Sequence, residues 1–298
     1  MRFRANPRSI LKLEMEIIQS PHEVQKRVNH WRCEGKSIGF VPTMGALHEG
    51  HLSLARAARR DCDVVVASVF VNPTQFGTNE DLNKYPRPLE RDCDLLRQCG
   101  CDLVFTPEEK DLYFQDGSGA QSWVEVEILG EVWEGTVRPG HLRGVATVVA
   151  KLFHIVRPSR AYFGEKDYQQ LKVIERLARD LFFDVEIVPI ETVRENDGLA
   201  LSSRNAYLVS DERQAAANIS RALFHGVELA KNGERDVARL RAEMQRVCGS
   251  QPLIALQYLA IVDAQTLAPL DKISDAPARI LIAARVGQTR LIDNAGIN

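Results

Sequence analysis

The chain has 298 residues, 45% of them hydrophobic and 26% charged, with 38 Lys+Arg against 40 Asp+Glu and a formal net charge of −2. That is the composition of a globular protein long enough for about two domains and a core that needs no disulfide or metal staples. No apolar run approaches the roughly 18 residues that span a bilayer, no low-complexity tract appears, and the balanced charge offers no basic footprint for nucleic acid.

Residues 1–14 begin MRFRANPRS, basic and polar. They read as a frayed N-terminal extension or a start upstream of Met15, because transit peptides are longer and richer in Arg and Ser. Strands and helices then alternate. Pro21 to Glu34 has helical spacing, with Val24, Val28 and Trp31 on one face. Ser37 to Thr43 is an apolar strand, Leu52 to Cys62 a helix, and Asp63 to Val71 a central strand. Helix Pro88 to Gln98 and strand Asp102 to Thr106 follow. The alternating WVEVEI of Trp123 to Ile128 predicts a strand near an edge. His141 to Val156 reads as a helix, Ala161 to Gly164 as a strand, Tyr168 to Phe182 as a helix and Val185 to Ile190 as a strand.

Apolar strands separated by helices predict an α/β fold, a Rossmann-like doubly wound parallel sheet over residues 15–192. Ligands of such sheets bind beyond the carboxyl ends of the strands, here just after residues 43, 71, 164 and 190. From residue 193 to 298 the texture changes to a smaller α+β domain. It has helices over Asp211 to Asn232 and Asp236 to Val247, and strands over Leu256 to Val262 and Arg279 to Ala284.

Cys33, Cys62, Cys93, Cys99, Cys101 and Cys248 are irregularly spaced with no secretory segment before them. They read as reduced thiols of a cytoplasmic protein. Cys93, Cys99 and Cys101 lack a second Cys/His pair at zinc-site spacing, so no metal site is expected there.

Four constellations carry chemistry. PTMGALHEGH, Pro42 to His51, links a strand to a helix. Gly45 and Gly50 let the backbone approach a ligand, and His48 and His51 share a face at a helix start, whose free N–H groups and partial positive charge suit phosphate. The two imidazoles can donate hydrogen bonds to a triphosphate and to the charge of a departing pyrophosphate. A zinc pair is the rival reading, with no third ligand obvious. Asn72 and Gln75 of NPTQF bring amides that both donate and accept, suited to hydroxyls and a carboxylate. An ordinary polar turn is the alternative. In FGEKDYQQL, Gly164 permits close approach and Lys166 is a point charge for phosphate, while Asp167 either caps the helix or meets ribose or ATP. In DGLALSSRN, Ser202, Ser203 and Arg204 make an oxyanion-binding loop able to close over a ligand. His141 and Arg143, with Arg138 nearby, open a further helix and read either as capping or as close to substrate. His22, His30, His154 and His225 look structural.

His48-Glu49-Gly50-His51 resembles the HIGH-type signature of the nucleotidyltransferase superfamily. Together with VFVNPTQFG, Val69 to Gly77, the longer string is similar to the pantothenate synthetase family, and the resemblance covers 15–298. It implies an ATP-dependent ligase that joins pantoate to β-alanine through a pantoyl-adenylate, in a cytoplasmic homodimer. ATP would be a substrate with Mg²⁺, with no tightly bound cofactor, no nucleic-acid partner and no membrane. It implies ATP contacts from Met44, Gly45, Ala46, Leu47, His48, Glu49, Gly50 and His51, from Gly164, Glu165, Lys166 and Asp167, and from Val193, Leu201, Ser202, Ser203 and Arg204. Gln75 and Gln170, with Asn72, fall to pantoate. His48, His51, Lys166 and Arg204 are the expected catalytic groups. SSRN stands where the superfamily carries a KMSKS-type loop and lacks that loop's lysines, which argues against a tRNA synthetase. A nucleotidylyltransferase that keeps the nucleotide on its product, or a non-catalytic nucleotide-binding module, are the other readings.

Overall fold

The computed structural model describes residues 14–77, 80–113 and 120–297; the expected extension lies almost wholly outside them. In chain order come β1 (Glu16–Ile18), α1 (Pro21–Cys33), β2 (Ile38–Thr43), α2 (Glu49–Asp61), β3 (Val64–Val69), α3 (Leu89–Gln98), β4 (Leu103–Phe105) and α4 (Glu109–Leu112). Next are α5 (Glu134–Val137), α6 (His141–Val156), β5 (Arg160–Gly164), α7 (Tyr168–Asp180) and β6 (Glu186–Ile190). The chain closes with α8 (Ser210–Lys231), α9 (Val237–Gly249), β7 (Ile254–Asp263), β8 (Ala278–Val286) and β9 (Thr289–Gly296).

The first sheet has the order β1-β4-β3-β2-β5-β6, and its paired strands run parallel. Both its faces are covered, as its apolar strands require. Successive residues of one strand enter opposite layers. Val64 and Val66 pack with α1 and α6, while Val65 and Ala67 pack with α2 and α3. The helices start where their caps dictate: Ser20 accepts the N–H of Glu23, with Pro21 in the first turn of α1. The second sheet, β7-β8-β9, is antiparallel. One face carries α8 and α9, and the other sets Ala260, Val262 and Leu281 into the core of the first layer.

Three expectations need correction. Trp123 to Ile128 is not a strand. Val124 exchanges both backbone groups with Thr147 Oγ1 on α6, and Val124 and Val126 lie on the helical layer, so hydrophobic contact comes from helices and no ladder forms. The helix after the first motif starts at Glu49, a turn earlier than its apolar spacing suggested, because polar residues fill its first turn. Strands β1 and β9 went unread: β1 is three residues long, and β9 places Asp293 and Asn294 in mid-strand, against strand propensity.

Candidate active site

The sheet order reverses between β2 and β5. The chain builds outward from β2 through β3 and β4, then crosses back to lay β5 on the other side of β2. Such a switch point leaves a crevice beyond the strand ends. The loops after Thr43 and after Gly164 therefore open at one place.

The first loop is held by groups that the motif does not contain. Gly45 and Ala46 both have positive φ, +81° and +50°. Asp92 of α3, fully buried, accepts the Ala46 N–H through Oδ2 and the Leu47 N–H through Oδ1, each at 2.8 Å. Burial pushes its carboxyl pKa upward, against the lowering effect of those two donors. Both N–H groups are thus occupied, and the Leu47 side chain is in the core. Asp92 was not legible in the sequence, since its partners lie 45 and 46 residues away.

The next turn aims the histidines. His48 stands at the N-cap of α2, and its Nδ1 accepts the Gly50 N–H at 3.2 Å. His51 Nδ1 accepts the His48 N–H at 3.4 Å. These donors assign the remaining ring proton to Nε2 in both residues. The ring centroids are 4.1 Å apart. Gly50 leaves room for this, because a Cβ there would sit 3.0 Å from the His48 ring. Burial lowers both pKa values, to about 4 for His48, helped by the Lys166 charge, and to about 3 for His51, helped by His48 and Lys166. Both are neutral hydrogen-bond donors at neutral pH.

Two lobes meet at His51. One, of about 110 Å³, is lined by His48, Gly50, His51, Gly164, Lys166, Asp167, Gln170, Val193 and Leu201. The other, of about 170 Å³, has an apolar wall of Met44, Phe70, Val145, Val148, Val149 and Leu152, with Asn72, Gln75, Arg138, His141 and Arg204 as its polar groups. Pro42, His51, Asp167 and Gln170 line both. Asp167 makes no cap bond to α7, so its capping reading falls; its carboxylate lies 3.7 Å from Lys166 Nζ.

The second lobe is shaped by close packing. Asn72 donates to Gln75 Oε1 at 2.9 Å and to Gly144 O at 3.2 Å, and accepts from Thr74 Oγ1 at 2.9 Å. It orients Gln75 and fixes the turn on α6. His141 Nδ1 and Arg138 both reach Gln75 O, at 2.8 and 3.3 Å. Burial takes the His141 pKa down to about 4, with Arg138 adding to the shift. Arg143 is elsewhere, stacked on Trp123 at 4.5 Å.

Several other expected residues carry contacts of their own within the protein. Glu49 pairs with Arg56, and Glu165 with Arg279 at 2.9 Å. Ser202 Oγ accepts the Arg204 N–H at 3.3 Å, and Ser203 Oγ meets Tyr85 OH at 3.4 Å. Arg204 binds Asp81 at 3.0 Å, while the adjacent Glu80 binds Arg138. Two neighbouring acids thus hold the two arginines at the cavity rim. Among the described residues no group of three His, Cys, Asp or Glu gathers to hold a metal, the cysteines are free thiols, and no helix is long and apolar enough to cross a membrane.

Comparison with known proteins agrees with this geometry. The family model described as pantoate-beta-alanine ligase matches residues 16–296. A pantothenate synthetase of Rubrobacter xylanophilus is 58% identical over 285 residues, covering 94% of this chain and 98% of the relative. One from Moorella thermoacetica is 54% identical over 282 residues, covering 94% and 98%. The crystal structure of pantothenate synthetase from Thermus thermophilus superposes with a TM-score of 0.89 at 48% identity, covering 95% of this chain and 99% of that one. A pantoate-beta-alanine ligase from Francisella tularensis, complexed with beta-gamma ATP and beta-alanine, gives 0.76 at 36% identity, covering 94% and 97%. With the sheet order and both motif loops in place, this chain belongs to the pantoate–β-alanine ligase family.

Proposed function

We propose that this chain condenses pantoate with β-alanine at the expense of ATP, giving pantothenate, AMP and pyrophosphate. The observation that carries the reading is the pair of adjoining lobes with His51, Asp167 and Gln170 at their junction. One lobe has neutral donors and a lysine for a nucleotide; the other sets amides against an apolar wall that suits a hydroxy acid with a gem-dimethyl carbon.

A carboxylate is a poor acyl donor, since its leaving group would be oxide, so it is first activated. The pantoate carboxylate oxygen attacks the α-phosphorus of ATP, and the bond to the β-phosphate bridging oxygen breaks. Pyrophosphate leaves and a pantoyl-adenylate remains. The neutral amine of β-alanine then attacks the pantoyl carbonyl, AMP leaves, and the amine proton passes to solvent. The residues act by positioning and by charge stabilisation. Lys166 binds phosphate as a point charge, and His48 and His51 donate through Nε2 to the oxygens on which charge develops. Gln75 and Gln170 hold pantoate, and Gly50, Gly164, Val193 and Leu201 surround the nucleoside. Arg204, with Ser202 and Ser203, moves from Asp81 onto the phosphates as the loop closes. The Ala46 and Leu47 N–H groups and the Glu49 and Glu165 carboxylates take no direct part.

Mg²⁺ would enter with ATP and neutralise its phosphates, and Asp167 and Glu191 are the carboxylates lining the nucleotide lobe that would help hold it. We assign 15–192 to binding ATP and pantoate and 193–298 to covering them, in a cytoplasmic homodimer.

The test is pyrophosphate release with ATP, Mg²⁺ and pantoate, with and without β-alanine. About one equivalent per site without the amine, then turnover with AMP formation when it is added, is the expected result. Absence of pantoate-dependent release from folded protein that still binds ATP would overturn the reading.

A further inference from the structure

Strand β9 carries two polar residues where a core strand has apolar ones. Asp293 and Asn294 are each 4% exposed. Consecutive strand residues point to opposite sides, and here each side meets a different loop of the nucleotide lobe.

Asn294 faces the turn that bears Lys166. Its Nδ2 donates to the carbonyls of Glu165 and Lys166, at 2.9 and 2.8 Å. Its Oδ1 accepts from Arg279 Nε at 2.7 Å, and since a guanidinium only donates, this contact fixes which end of the amide faces the turn. Arg279 also pairs with Glu165 at 2.9 Å and lies 3.7 Å over the Tyr168 ring, gripping the residues on either side of Lys166 and Asp167.

Asp293 faces the other loop. It binds Arg194 through both oxygens, at 2.7 and 2.8 Å, and accepts from Ser220 at 3.1 Å. Arg194 directly follows Val193 and bridges Ala200, and Leu201 N–H donates to Val193 O at 3.0 Å. Val193 and Leu201 both line the nucleotide lobe. One rigid dipeptide therefore fixes two loops that are far apart in sequence and must face one ligand together.

We propose that Asp293 and Asn294 are positioning residues for nucleotide, holding the Lys166 turn and the Val193–Leu201 hairpin in register on a strand that does not itself touch the reacting atoms. The inference rests on the assignment of that lobe to ATP. Asn294→Asp preserves shape but sets an oxygen against two carbonyl oxygens. Asp293→Asn keeps the volume and removes the bidentate charge pair.

The experiment compares both variants with wild type and with Leu240→Ala, a fully buried residue of α9 in the core between the small sheet and its helices. KM for ATP and for pantoate, kcat, Kd for a non-hydrolysable ATP analogue and Tm are measured for each. Displacing binding groups by about 1 Å costs on the order of 100-fold. We expect KM and Kd for the nucleotide to rise at least about tenfold in both variants, while KM for pantoate stays within about twofold. Leu240→Ala should lose Tm while keeping nucleotide affinity. If Asn294→Asp does not fold, Arg279→Met removes only the outer grip and should show a smaller loss with the same preference for nucleotide. Variants that lose Tm but keep wild-type nucleotide KM and Kd would overturn the proposal and leave the ligase reading standing. A wild-type chain without pantoate-dependent turnover would instead remove that reading, and the Kd comparison would still decide the role of the pair.

Discussion

The carboxylate of Asp92 on α3 binds the N–H groups of Ala46 and Leu47 through separate oxygens, both at 2.8 Å. This contact holds Gly45 and Ala46 in the left-handed region from which α2 is launched. Without it two donors lose their partner in a buried place. Asp92→Asn, which turns an N–H toward one of those donors, should cost about 1–3 kcal/mol. Urea denaturation measures this, and an unchanged midpoint would contradict it. A fall in ATP affinity should accompany it, because the same turn aims His48 and His51.

His51 is the ring common to both lobes. Replacing it by Ala should lower kcat on the order of 100- to 1,000-fold, the effect of losing one donor to developing charge. Circular dichroism should remain that of the wild type. Near-normal turnover would show that the phosphates lie elsewhere.

Gln75 and Gly144 should act on the acid rather than the nucleotide. Gln75→Ala should raise KM for pantoate about tenfold, the value of one or two hydrogen bonds, with KM for ATP little changed. Equal effects on both would remove Gln75 from the acid site. Gly144→Ala tests the same lobe from behind. A Cβ at Gly144 would lie 2.3 Å from Thr74 O, so the NPTQ turn must move. The substitution should therefore weaken pantoate, although alanine in a helix interior is otherwise favoured by about 1 kcal/mol.

Acid should destabilise the fold through its buried histidines. The folded-state pKa values of His48, His51 and His141 are lowered to about 4, 3 and 4, against about 6.5 when unfolded. Between these limits the unfolded chain binds protons that the folded chain does not, so stability falls as pH drops from about 6.5 toward 4. The urea midpoint measured from pH 7 to 4.5 should decline, and His141→Asn should flatten the decline. A midpoint indifferent to pH in this window would contradict the buried, neutral state.

The sequence by itself determined the parallel sheet, because apolar runs such as VVVASV can be satisfied only between two helical layers. It also marked Gly45, His48, His51, Lys166 and Asp167 as candidates, because Gly, His and charged residues at strand ends have few structural uses, whereas Gln170 and the role of Gln75 came from the family resemblance. Leu47 was legible as part of a motif, yet its N–H and side chain are spent on Asp92 and the core. WVEVEI alternated like a strand but found a helix to bind, since alternation reports a buried face and not the partner that buries it. Tertiary structure alone decided the rest. Asp92, Gly144, Asp293 and Asn294 act on loops distant in the chain, through single contacts that leave no periodicity to read. The reversal of strand order beside β2 brought His51 to Lys166, and sequence patterns carry faces and turns but not which strand lies next to which.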